Sequence, residues 1–246
     1  MAYFVNKNVL DNINLYKNRM DGIINSFFQQ IQYQCNYNVF ITSNYKLYSL
    51  IAENIRRDLN YLLTITIDYD VFSFIGVRRN LRNSIEAYYD LYNLTFDENY
   101  LYLLKYFSNN AVCAKKEIDT LKNNDMYSSY LGKKQKISFL SIADKAKIAS
   151  RNGLDNNKVN ILKNISISSN SYVHPDIFTP PEDIQAKERL LRDFLYIDCW
   201  LLAEAFDLLV RYCRKKFSVG CLFNSYEELE MLQRGLYQCG YYIEKR

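Results

Sequence analysis

An all-α fold, an up-and-down bundle of several helices, is what this sequence predicts, and three observations carry the prediction. Seven glycines and three prolines in 246 residues are few, since an ordinary soluble domain carries about 12% of the two together. The chain therefore lacks the reversals that many short strands require. Apolar residues recur at steps of three and four along much of the chain, the period of a helix with one buried face. Hydrophobic residues make up 49% and charged residues 24%, a normal balance for a core with a solvated surface. The length suits one domain over 1–246, with its core at 70–215, an N-terminal helix pair at 1–69 and a C-terminal helix at 218–246.

The first helix places Leu10, Ile13, Met20, Ile24, Phe27 and Ile31 on one face, with Lys17 filling the skipped turn. A second runs from Ser43 or Asn44, as N-cap, to about Thr66 and buries Leu47, Ile51, Ile55, Leu59 and Leu62. The third, Val71 to Leu94, repeats the pattern with Phe74, Val77, Leu81, Ile85, Tyr88 and Tyr92. A fourth is expected from Glu98 to Lys122. The polar stretch 121–136, with Gly132, reads as the main internal loop.

A helix from Ser138 to Arg151 stops at Gly153, which suits a left-handed C-terminal cap. Another is expected from about Asn157 to His174. All three prolines, Pro175, Pro180 and Pro181, then follow close together and force the chain out of helix. Thr179 and Glu182 have capping-box spacing and start a long helix that carries Phe194, Ile197, Leu201, Ala205, Leu208 and Tyr212 and ends near Phe217. A last helix spans Ser225 to Tyr242, with Ser225 as its cap.

The totals exclude several classes of function. One histidine and widely scattered cysteines leave no metal-ligand spacing, so no metal site and no cofactor is expected. The six cysteines, with a polar N-terminus before them, read as reduced thiols of a cytoplasmic protein. The most apolar stretch, Phe194 to Val210, holds Asp198, Glu204 and Asp207. Three carboxylates are too costly at membrane depth, so it is a core helix. Net charge is +4 and the pI is about 8.6, below the pI above ~9 of a dedicated nucleic-acid binder. Gly-rich phosphate loops and the nucleophile-elbow, kinase and zincin motifs are missing.

Two segments have the residue types for chemistry. On the third helix Arg78, Arg82, Glu86 and Tyr89 form one polar line beside the apolar stripe. Arg82 and Glu86, at i and i+4, either make a plain helix salt bridge or face a cleft where the guanidinium fork takes phosphate while Glu86 holds it. His174, the sole imidazole, sits at a helix end fixed by Pro175, where it either serves proton transfer or donates to a buried carboxylate or carbonyl. Lys133, Lys134 and Lys136 form a basic cluster, and Arg211, Arg214, Lys215 and Lys216 another at the end of the long helix. Both clusters suit phosphate, but solvated faces and helix C-termini also collect such charge. The 23 tyrosines either stack bases or serve as packing residues.

The Arg-x-x-x-Glu helix (Arg82, Glu86), followed far downstream by a helix ending Ser171-Tyr-Val-His-Pro175 and then a long helix, resembles the HEPN-type helical domains of bacterial abortive-infection, toxin–antitoxin and other anti-phage loci. The resemblance covers residues 70–215. It implies a homodimeric bundle whose Arg and His meet in a cleft and cleave RNA without metal. His174 would be the acid/base, Arg82 the phosphate ligand and Glu86 its orienter, with Arg78, Arg79, Lys133, Lys134, Arg211 and Arg214 contacting RNA. A cognate protein from the same locus is the other implied partner. Nuclease members carry an Arg a short way ahead of the His, and Ile167, Ser168 and Ser169 stand there in this chain. The alternative is a non-catalytic helical interaction module, an antitoxin, adaptor or sensor subunit, in which Arg82, Glu86 and His174 form a buried network that fixes helix packing.

Overall fold

Helix is the only regular structure among the described residues of the computed structural model. These are residues 71–108, 112–132, 140–170 and 184–217, with separate helical positions between 11 and 29 and between 53 and 57. Seven helices follow in order: α1 (Val71–Phe96), α2 (Tyr100–Phe107), α3 (Lys115–Lys122), α4 (Ser128–Leu131), α5 (Ile142–Arg151), α6 (Asn156–Asn170) and α7 (Ile184–Phe217). The helix caps expected at Ser43 or Asn44, Thr179 and Ser225, and the last helix, lie outside the described residues.

α1 is the axis of the fold. α7 packs along it, while α5 and α6 pack together against it elsewhere, and α2 leads into a small satellite with α3 and α4. A helix covered on several sides must be apolar nearly all round, and α1 meets this with Leu81, Ile85, Tyr88, Tyr89, Leu91, Tyr92 and Leu94 all buried. α7 answers with Ile197, Leu201, Leu202, Ala205, Phe206, Leu208 and Leu209. Tyr88 sits at the centre of an aromatic cluster, with ring centroids 6.1 Å from Tyr89, 6.3 Å from Tyr92 and 5.8 Å from Trp200 of α7. Tilted pairs at such distances add to the gain from burial. These tyrosines are core packing residues and have no free face for a base.

Local chemistry explains where helices begin and end. Ser141 caps α5 by accepting from the Asp144 N–H. Gly153, at φ +95°, closes α5 with the Gly153 N–H on the Ser150 carbonyl and the Leu154 N–H on the Ala149 carbonyl. That is the Schellman pattern, which needs a residue with no Cβ at the left-handed position. Asp155 then opens α6 by accepting from the N–H groups of Asn157 and Lys158.

The single helix expected over Glu98 to Lys122 is two. Its chain is extended at Ser108 and again at Ala114, where the Ala114 N–H donates to Glu117 at the start of α3. The intervening Ser108, Asn109 and Asn110 are residues whose side chains compete with the helical backbone. The polar internal loop contains the short helix α4, which the buried Tyr130 anchors. In the first segment of the chain the described positions are mainly exposed or half-buried ones opposite the expected apolar stripe. Asp21 there pairs with Lys17 at 3.2 Å and with Arg56 at 2.6 Å, which ties the first two predicted helices together.

Candidate functional site

The polar line of α1 runs into the seam with its neighbours. Tyr89 is fully buried and its hydroxyl reaches the Val159 carbonyl of α6 at 3.3 Å. One turn back, Glu86 Oε1 is 2.7 Å from Lys145 Nζ of α5, and Asp90 Oδ2, one turn beyond Glu86, is also 2.7 Å from the same ammonium. The Tyr100 hydroxyl of α2 donates to Asp90 Oδ1 at 2.6 Å. Asn93, fully buried, donates to the Lys145 carbonyl at 3.0 Å and accepts from Asn152 at 3.2 Å. Tyr127 donates to Asp97 Oδ2 at 2.8 Å beside the Tyr100 ring. Three helices are thus joined through one polar cluster.

Sequence period puts these groups on their faces. Glu86 and Asp90 stand at i and i+4 and share one side of α1. Lys145 lies within the stripe Ile142, Ala146 and Ala149 of α5, so its ammonium enters the core. The side chain is 9% exposed, against 16% for Asp90 and 34% for Glu86. An ammonium so deep must be paired and hydrogen-bonded to be tolerated. Burial alone would push Lys145 down, but Asp90 and Glu86 together outweigh it and hold the ammonium above the usual lysine value. Burial pushes the Asp90 carboxyl above the usual carboxylate value, Lys145 and Tyr100 pull it back in part, and Glu86 adds to the rise. Tyr100 is pushed well up by burial and by the Asp90 charge.

Glu86 is therefore held by Lys145, and among the described residues it makes no ion pair with Arg82. The physical reason is the depth of the cation. A pair between Glu86 and Arg82 on one helix surface gains little in water, whereas the buried Lys145 requires counter-charge. Arg82 is half-buried, with no carboxylate in ion-pair range among the described residues. Arg79 is exposed. Arg211, 56% exposed, pairs along α7 with Asp207 at 2.7 Å. His174, Lys133 and Lys134 lie outside the described residues, as do the side chains of Arg78 and Arg214.

Sequence reasoning passed over Lys145, Asp90 and Tyr100. A signal existed for two of them: a lysine in the apolar stripe of one helix, and a second carboxylate one turn beyond Glu86 on another. Replacing Tyr100 with Phe removes a donor to a buried carboxylate, and is expected to cost about 1–3 kcal/mol in chemical denaturation.

Alkaline stability has a definite sign. Tyr88, Tyr89, Tyr100 and Tyr127 are all raised first by burial, and Lys145 is raised by its carboxylates. The folded state therefore keeps these protons longer than the unfolded chain. Their contribution is fully present below about pH 10 and is lost as pH climbs through the folded-state values. Phenolate absorbance is expected to rise in two phases, the second coinciding with loss of helical circular dichroism. A single phase that leaves the helix signal intact would contradict this.

Among the described residues no group of three or more His, Cys, Asp or Glu is placed to hold a metal ion, and no helix is long and apolar enough to cross a membrane. No family model, curated protein or solved structure matches this chain.

Proposed function

We propose that this chain is a non-catalytic helical interaction module with HEPN-like architecture, an adaptor, antitoxin or sensor subunit that acts through a cognate protein partner. One observation carries the reading. Glu86, the residue expected to orient a catalytic Arg82, makes its ion pair at 2.7 Å with the buried Lys145, inside a cluster that joins α1, α2 and α5. Among the described residues the ion pair that Glu86 makes is with a structural ammonium and not with Arg82, which favours a role in cohesion of the bundle. The polar line of α1 then serves helix packing, and partner specificity resides on the outer surface.

A second reading, a metal-independent ribonuclease or RNA-binding effector, is favoured by Arg82 itself. The guanidinium is half-buried and no carboxylate holds it among the described residues, which leaves it available to phosphate. Expression of wild type, Arg82→Ala, His174→Ala and Glu86→Gln, with growth, total RNA integrity and thermal melting followed together, separates the two. The module reading expects intact RNA and equal growth throughout, with Glu86→Gln melting earlier. RNA breakdown by wild type that both Arg82→Ala and His174→Ala abolish would overturn it in favour of the nuclease.

A further inference from the structure

The three short helices α2, α3 and α4 are cross-linked among themselves. α3 packs on α2, and α4 on α3. Lys105 of α2 lies 2.7 Å from Glu117 of α3, and the Tyr106 hydroxyl of α2 donates to the Leu131 carbonyl of α4 at 3.4 Å. The Cys113 thiol, between α2 and α3, reaches back to the Tyr102 carbonyl at 3.8 Å. Two phenol hydroxyls tie this unit to α1 and the residue that follows it. Tyr100 donates to Asp90 Oδ1 at 2.6 Å, and Tyr127 donates to Asp97 Oδ2 at 2.8 Å. Both tyrosines are fully buried and their ring centroids lie 6.4 Å apart, so the two ties sit side by side.

α5 is fixed to α1 by other bonds. Lys145 meets Glu86 and Asp90, each at 2.7 Å, while Asn93 donates to the Lys145 carbonyl and accepts from Asn152. None of these contacts uses α2, α3 or α4, so they persist when those helices leave. The chain between α1 and α2 is the turn Asp97, Glu98 and Asn99, at most half-buried, in which Asp97 Oδ1 accepts from the Asn99 N–H at 2.9 Å. We propose that α2, α3 and α4 form a cap that opens as one unit about this turn, baring the α1 face around Asp90, while α1, α5, α6 and α7 stay packed. The inference stands independently of the module and nuclease readings, because it concerns which part of the bundle opens first.

Helix length explains why the cap should act as one piece. Helices of eight, eight and four residues are too short to persist alone in water. They depend on burial of Tyr100, Leu103, Phe107, Leu121 and Tyr130, and losing the seat on α1 undoes all three together. Charge explains where the boundary falls. Asp97 is half-buried, so water can replace the Tyr127 hydroxyl, whereas the deep ammonium of Lys145 has to keep its carboxylates. Segments of a protein open locally with free energies between nearly zero and that of global unfolding. Release of the cap leaves the long seam between α1 and α7, of 26 and 34 residues, in place.

Amide hydrogen exchange of the full chain in low denaturant reads the opening. The N–H groups of Ser108, Asn123 and Tyr130, bonded to the carbonyls of Leu104, Asp119 and Tyr127, report on α2, α3 and α4. They are expected to share one opening constant, about tenfold or more above that of mid-helix amides in α1 and α7, with a shallower denaturant slope because less surface is exposed. Two mild substitutions separate cap from core. Tyr127→Phe removes a tie that exists only in the closed state, so it should raise the opening constants of the cap and of α1 and α7 alike, by about tenfold. Ile197→Val, at a buried position of α7, weakens the closed and cap-open states equally. It should raise the opening of α1 and α7 by about two- to tenfold and leave the cap unmoved. Opening constants that differ among the three helices, that match α1 and α7 in size and slope, that rise in the cap with Ile197→Val, or that Tyr127→Phe leaves unchanged would each overturn the proposal.

Discussion

Lys145→Met is expected to lower the free energy of unfolding by about 3–5 kcal/mol, because it strands a buried carboxylate that has lost its cation. Asp90, 16% exposed, has no comparable route to water, whereas Glu86, 34% exposed, can turn outward. Single domains are stable by about 5–15 kcal/mol in all, so the loss is a large share, and melting should fall by about 10 °C or more. The denaturation midpoint should move with the slope unchanged. The double variant Lys145→Met/Asp90→Asn then provides the decisive comparison. Asn keeps an oxygen for the Tyr100 hydroxyl but no charge, so the double variant is expected to be more stable than Lys145→Met alone. Losses that simply add would mean that the two groups are not coupled, and the polar cluster would lose its role as the joint of the bundle.

Tyr88→Ala should be of similar size, about 3–5 kcal/mol, by analogy with truncation of other large core aromatics. Tyr88 is 1% exposed and its ring lies against Tyr89, Tyr92 and Trp200, so truncation opens a cavity in the seam between α1 and α7. Trp200 is the only tryptophan and reports on that seam directly. Its emission should shift to longer wavelength as water enters, at denaturant concentrations where wild type is still folded. Unchanged emission together with unchanged stability would place the weight of the core elsewhere. The two substitutions probe different sides of α1. If the helix is the shared axis, combining them should lower the stability by about the sum of the two losses.

Much of the fold is legible without coordinates, since local rules produce it. The scarcity of glycine and proline and the recurring apolar stripes foretell helices, and the stop at Arg151 agrees with the structure. Gly153 suits a left-handed cap because a residue without Cβ adopts that conformation freely, and it has φ +95°. The division of the expected Glu98–Lys122 helix was less visible. Ser108, Asn109 and Asn110 weaken a helix only slightly each, and whether such a stretch breaks depends on what α2 and α3 bury: Tyr100, Leu103 and Phe107 on one, Leu121 on the other.

The candidate site divides along the same boundary between local and distant. By itself the sequence determined that Arg82 and Glu86 share a helix face and that the sole histidine abuts a proline, because helical period and proline sterics act over a few residues. Only the tertiary structure decided that Glu86 belongs to Lys145, which joins it from another helix and meets Asp90 across 55 positions of sequence. Period says which way a side chain leaves its own helix, but not what it meets. A buried ammonium chooses its partners by depth and by which carboxylates the packing of α1 against α5 brings within reach, and that packing is a property of the whole core.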